Sequence, residues 1–290
     1  MKKKKLFENI IHGIFLILGT ITVGFVLVIT IYLIVSGIPA IAQIGLFNFL
    51  FGQEWASTAA EPKFGILPFI LSSVYGMAGA IVIGVPIGFF TAVFLSKVAN
   101  KKVRAAVGVA VDLLAGIPSV VYGLVGMLVL VPGIRILFKL SDGASLLAAI
   151  IVLAVMILPN IIKMSMTALD AVPKEYEDGS LALGATATET YFRVSVPAAK
   201  SGIAAAVVLG VGRAIGETMA VIMVAGNVAN MPTLFGSVRF LTTAVASEMS
   251  YSSPGSLQRN ALFSIALVLF LFIMLINATL NFLLKRDKEK

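Results

Sequence analysis

AAAVVLGVGRAIGETMAVIMVAGNVA, residues 204–229, is an apolar stretch with one arginine and one glutamate near its middle. If it crosses a bilayer from Lys200 toward Asn227, Arg213 lies about 13 residues in, roughly 20 Å along a helix. A lone charge at that depth costs about 2.5–3.5 kcal/mol even on the mild insertion scale, so it is expected to face protein or a water-filled path. Glu217, four positions on, shares its helix face and is the expected partner. Gly210, Gly212 and Gly216 are expected to admit a neighbouring backbone. Two readings are open: an anion-handling site with Arg213 and Glu217 in a translocation pathway, or an ion pair that fixes helix packing. The glycines do not make a dinucleotide fingerprint. No strand precedes them, and Gly210, Gly212 and Gly216 are one residue out of step with GxGxxG.

The chain has 290 residues, 59% of them hydrophobic and only 12% charged. Globular domains carry about twice that share of charge, so the composition indicates an integral membrane protein. The net charge of +8 does not indicate nucleic acid, because Lys and Arg sit in short loops and tails without a basic face or interleaved aromatics. There is no cysteine and a single histidine, His12. Disulfides, thiolate metal sites, cysteine nucleophiles and histidine cages are therefore excluded, and no metal site is expected.

The order of apolar runs predicts an all-α membrane protein with six transmembrane helices. Residues 1–13 read as a cytoplasmic tail and 14–38 as the first span. That run is too long for a signal h-region of about 7–15 residues, although Ala40-Ile41-Ala42 resembles a cleavage site. An external loop is expected at 39–65, with Trp55 and Glu61 in it. The second helix is expected at about 66–95, its Gly76, Gly79, Gly84 and Gly88 permitting close packing. The third is expected at about 105–131, with Asp112 near its start, paired to a loop lysine, and a kink or unwound turn at Pro118. An outer loop follows at 132–143. A fourth helix is expected at 144–169, broken at Pro159, with Lys163 near its inner end. The fifth is expected at 201–229, a polar outer loop at 230–258, a sixth helix at 260–284 and a tail at 285–290. The tails and the second and fourth loops hold fifteen Lys or Arg against five in the other loops. That bias puts the tails and the polar stretch 170–200 in the cytoplasm.

The stretch 170–200 contains Asp178-Gly179-Ser180, Gly184 six residues after the Asp, and Val194-Ser195-Val196-Pro197. Its Pro and Gly spacing suits two brief helices joined by a bend, with Leu181, Leu183, Tyr191 and Phe192 available for docking in a partner's groove. The pattern resembles the EAA loop of ABC importer permeases, with Asp in place of Glu and Gly-Ser in place of Ala-Ala. Together with FGILPFI at 64–70, LLAGIPSVVYG at 113–123, ILP at 157–159, LALGAT at 181–186 and GRAIGETMAV at 212–221, it looks like the PstC-type permease of the phosphate-specific ABC importer. The likeness runs from about residue 47 to 284.

That resemblance implies a type I ABC importer permease fold over 66–284. It implies a bacterial or archaeal inner-membrane location, a PstA-type second permease, two ATPase subunits and a phosphate-binding protein. Asp178, Gly179, Ser180, Gly184 and Pro197 would couple to the ATPase, and ATP and magnesium would be used by that partner. The chain itself has no GxxxxGK[ST] phosphate loop, so hydrolysis is expected elsewhere and no cofactor is expected on this chain. A permease for sulfate, molybdate or phosphonate differs only in substrate. A stand-alone secondary transporter would not need a docking segment, and a membrane enzyme would need a nucleophile or metal cluster that the spans lack.

Overall fold

Apolar runs with small residues on one side become helices that pack through those residues, as a computed structural model describing residues 2–286 makes visible. In order, α1 is Lys2–Ile44, α2 Leu46–Phe51, α3 Leu67–Val93, α4 Lys101–Gly116, α5 Ser119–Val125, α6 Val131–Leu137 and α7 Leu146–Asp170. There follow α8 Lys174–Ala182, α9 Ala187–Thr190, α10 Val196–Ala198, α11 Lys200–Gly216, α12 Met219–Val224, α13 Leu241–Glu248 and α14 Leu257–Arg286. A small hairpin pairs β1, Trp55–Ala56, with β2, Lys63–Phe64, in antiparallel register. Of the expected C-terminal tail, residues 287–290 lie outside the described residues, as does Met1.

The centre is the α3/α7 pair. Gly79, Gly84 and Gly88 of α3 receive the side chains of Ile150, Ile157 and Ile161 of α7. An added Cβ at each glycine would sit 2.6–2.7 Å from its isoleucine. Close approach of this kind is what small residues supply where burial of apolar surface no longer drives association. By contrast α1 leans on α14 near its second end only. There Ser264 Oγ donates to the Gly37 carbonyl at 2.6 Å and Tyr32 meets Phe263 edge-on.

Among the described residues, five helices are long and apolar enough to cross a bilayer: Ile11–Ile44, Leu67–Val98, Ser119–Leu137, Leu146–Asp170 and Leu257–Leu280. The count reaches six when Ala187–Ala198 and Lys200–Gly216, bent by 71°, are taken as one broken span.

Several expected boundaries are corrected. The third run is split. Ile117 is extended, as the residue before a proline is pushed to be, and α4 ends there while α5 starts after Pro118. The same run continues through a π-helical turn into α6 as far as Leu137, so the first half of the expected loop at 132–143 is helix. The fourth helix is not interrupted at Pro159. The proline is buried inside a continuous α7, where packing on both sides holds the turn. The first external loop is largely structured, as α1 runs on through Pro39 to Ile44. The loop at 230–258 contains α13, whose Leu241, Thr242, Thr243 and Ala244 are buried. Asp112 pairs with Lys163 of α7, not with a loop lysine.

Candidate functional site

The expected continuous fifth helix does not exist. α11 ends at Gly216, Glu217 is extended, and a new helix, α12, starts at Met219. Glycine is the poorest helix former after proline, and Gly210, Gly212 and Gly216 crowd the last two turns of α11. The freed backbone groups are satisfied from outside the helix. Glu217 Oε1 accepts from the Ala220 N–H at 3.0 Å, and Thr242 Oγ1 of α13 donates to the Glu217 carbonyl at 2.9 Å.

This corrects the expected Arg213–Glu217 pair. Sharing a face four residues apart requires a continuous helix, and the break turns the carboxylate onto α12 instead. Among the described residues the two form no ion pair. Arg213 occupies the last turn of α11, where a cation complements the helix dipole. Tyr122 spans the other break: its hydroxyl donates at 2.7 Å to the carbonyl of Leu114 in the last turn of α4.

The two interrupted helices lie against each other. A Cβ at Gly123 would sit 2.8 Å from Ala220 Cα and from Met223 Sδ. Gly212 and Gly216 have no such neighbour and Gly210 meets the side chains of Ile161 and Ile157 rather than backbone, so the expected close backbone approach occurs at Gly123. Discontinuous helices packed at their breaks are a recurrent way to line a transport path. Gly123→Ala is therefore expected to destabilise the assembly by about 1–3 kcal/mol through overpacking. Gly108→Ala, which has open space around it, is expected to leave stability near wild type. Thermal unfolding of the purified complex checks both.

The polar stretch 170–200 folds as two short helical segments with the bend at Gly184, whose φ of +89° lies in the region glycine favours. Thr186 and Glu189 then close a capping box that starts α9. Ser180 and Thr190 share a hydrogen bond of 2.9 Å across the bend, and Pro197 sits in the first turn of α10. Asp178 is exposed and Gly179 has open space, so neither holds the segment together. Leu183 is 91% exposed, and Tyr176, Leu181 and Phe192 are also exposed, while Tyr191 is half-buried.

What ties the segment to the body is Glu177, which the sequence left without a role. It pairs with Lys97, in the π-helical turn Phe94–Val98 that follows α3, and accepts from Ser195 Oγ at 2.8 Å. Beside it Asp170 accepts from Ser96 and pairs with Arg104. Burial alone would raise the Glu177 carboxyl, but hydrogen bonds from Lys97 and Ser195 and the Lys97 charge outweigh it and hold the group below the usual carboxylate range. A depressed carboxyl contributes stability that is present above its unfolded value and lost as pH falls through the folded one. The latch is thus expected to hold at neutral pH and open in acid below the ordinary carboxylate range. Hydrogen exchange of α8 should rise there in wild type and be fast and independent of pH-driven opening in Glu177→Gln.

At the opposite end a second polar cluster was equally hidden in sequence. Glu248 accepts from Trp55 Nε1 at 2.9 Å and Ser57 Oγ at 3.0 Å and pairs with Arg239, which donates twice to the Asn227 carbonyl. It joins the hairpin, α13 and the segment after α12. Trp55 and Ser57 are 193 and 191 residues from Glu248, a separation no local pattern reveals.

Residues 84–287 match the family described as "Binding-protein-dependent transport system inner membrane component". The chain is 42% identical over 255 residues to the probable ABC transporter permease protein YqgH of Bacillus subtilis (strain 168), covering 86% of this chain and 82% of that one. It is 35% identical over 260 residues to the phosphate transport system permease protein PstC of Mesorhizobium japonicum, covering 83% and 79%. Among solved structures, it resembles a chain of a bacterial alginate ABC transporter (TM-score 0.64, 16% identity, covering 93% of this chain and 94% of that one). It also resembles one of the MetNI methionine ABC transporter (TM-score 0.60, 20% identity, covering 77% and 97%). At those identities the structural likeness shows the fold alone.

Proposed function

The chain belongs to the family of binding-protein-dependent transport system inner membrane components, and on that premise we propose that it is the permease subunit of an ATP-driven importer of inorganic phosphate. The observation that carries the substrate is its likeness, over most of its length, to permeases named for phosphate transport. The residue suited to that substrate is Arg213. A guanidinium at a helix break, not neutralised by Glu217, offsets the dehydration of an oxyanion with charge-assisted hydrogen bonds. Glu217 maintains the break by capping α12. The pathway would run along the packed breaks of α4–α5 and α11–α12.

The exposed Tyr176, Leu181, Leu183 and Phe192 would dock on an ATPase subunit, with Asp178, Gly179, Ser180, Gly184 and Pro197 in the coupling segment. A PstA-type permease would complete the path, a second ATPase would sit beneath it, and a phosphate-binding protein would deliver substrate at the Trp55–Glu248 end. ATP and magnesium would be bound by the ATPases, and this chain would catalyse nothing itself. The basic end, with both termini, would face the cytoplasm.

The test is reconstitution of the chain with second permease, ATPases and binding protein in liposomes. ATP- and binding-protein-dependent uptake of radiolabelled phosphate, not diminished by excess sulfate or molybdate, is the expected result. Uptake of sulfate or molybdate in its place would overturn the substrate, and uptake without the ATPases would overturn the transporter class.

A further inference from the structure

Between α4 and α7, at the basic end, lies a groove of about 830 Å³ lined by Lys101, Arg104, Asp112, Lys163 and Asp170 over an apolar floor that includes Val111 and Met166. Its charges are already engaged: Lys163 with Asp112 and Arg104 with Asp170. Three cations stand against two carboxylates, a net +1. The groove approaches the break between α4 and α5, because Asp112 is half a turn before Leu114, whose carbonyl accepts from the Tyr122 hydroxyl. An anion moving along α4 from that break meets Lys163, paired to Asp112, first and Arg104 about 12 Å further on, eight residues along the helix from Asp112.

We propose that this groove is a release site for the transported oxyanion, in which Lys163, Arg104 and Lys101 take its oxygens while Asp112 and Asp170 compete for the same donors. This rests on the phosphate reading above. A path with cations alone would hold an oxyanion through several charge-assisted hydrogen bonds and release it slowly. A carboxylate paired with each inner cation supplies a substitute partner at once, so each cation regains its partner as the anion departs. The Lys163–Asp112 and Arg104–Asp170 pairs have the exposure this exchange needs: all four side chains are between 36% and 64% accessible. A pair that served packing alone would gain nothing from lining an open groove, where such pairs contribute little to stability.

The experiment measures equilibrium binding of radiolabelled inorganic phosphate to the assembled permease–ATPase complex, without nucleotide or binding protein. Asp112→Asn is expected to tighten binding about tenfold, the scale of one charge-assisted hydrogen bond, and to slow uptake at saturating ATP. Lys163→Gln with Asp112→Asn leaves no unmatched charge, so it is expected to assemble normally yet bind about tenfold more weakly than wild type. Unchanged phosphate binding in both variants overturns the proposal, as does a change confined to retention of phosphatidylglycerol, which would make the groove a lipid headgroup site. If wild type takes up no phosphate at all, the failure lies with the substrate reading and not with the groove.

Discussion

Gly184→Val is expected to abolish substrate-stimulated ATP hydrolysis and to release the ATPase from the complex, while Gly184→Asn keeps most of both. The warrant is conformational, since nothing lies within 4 Å of the position a Cβ would take. At a φ of +89° a β-branched residue is strongly strained, whereas asparagine tolerates positive φ better than most residues. The bend sets the angle between α8 and α9 and so places Leu181 and Leu183 relative to Phe192. Strain at this one turn either distorts that face or unwinds the capping box beyond it. Insertion should be untouched, because the central α3/α7 packing is made by Gly79, Gly84 and Gly88 against Ile150, Ile157 and Ile161, outside this segment. Co-purification of ATPase with each variant, alongside its ATPase rate, checks the series. Equal behaviour of Val and Asn would show that the bend does not transmit force.

How much of this was legible in the sequence depends on the range of the interaction. The α3 glycines announced their packing because small residues at helical spacing on an apolar run have one main use in lipid, and Ile150, Ile157 and Ile161 fill the places expected. The Gly184 bend was legible because a glycine between two short helix-forming runs, bounded by Pro173 and Pro197, is a local signal. The break at Pro118 was likewise visible from the two residues that make it. The break after Gly216 was not, since an apolar run of 26 residues reads as one span unless the partners of the freed backbone are known. Those partners are the Glu217 carboxylate, which accepts from the Ala220 N–H, and the Thr242 hydroxyl, 25 residues beyond Glu217. Glu177 and Glu248 were illegible for the same reason: each is defined by what lies across the fold, and each looked like an ordinary loop carboxylate.

The break also changes what substitution of Arg213 and Glu217 should show. A continuous helix with a salt bridge predicts strong coupling: each single change would strand a charge, and the double would restore what the singles lose. In the interrupted helix the two side chains have different work. Arg213→Gln removes the cation from the proposed path and is expected to reduce phosphate uptake at least a hundredfold with assembly intact, on the scale seen when one transition-state donor of about 3 kcal/mol is lost. Glu217→Gln keeps an amide oxygen able to accept from the Ala220 N–H, so its effect is expected to be within a few-fold. Glu217→Ala, which leaves that N–H without its acceptor, should cost about 1 kcal/mol of stability. The double Gln variant should then behave as Arg213→Gln alone, with a coupling energy below about 0.5 kcal/mol. Uptake assays on the three reconstituted variants, read against complex yield, decide it. Restoration of uptake in the double variant would mean that the two groups meet during the transport cycle and that Arg213 serves packing. Loss in both Arg213 variants with normal yield leaves the guanidinium as the group that receives the anion, and leaves Glu217 as the residue that keeps the helix open where it does so.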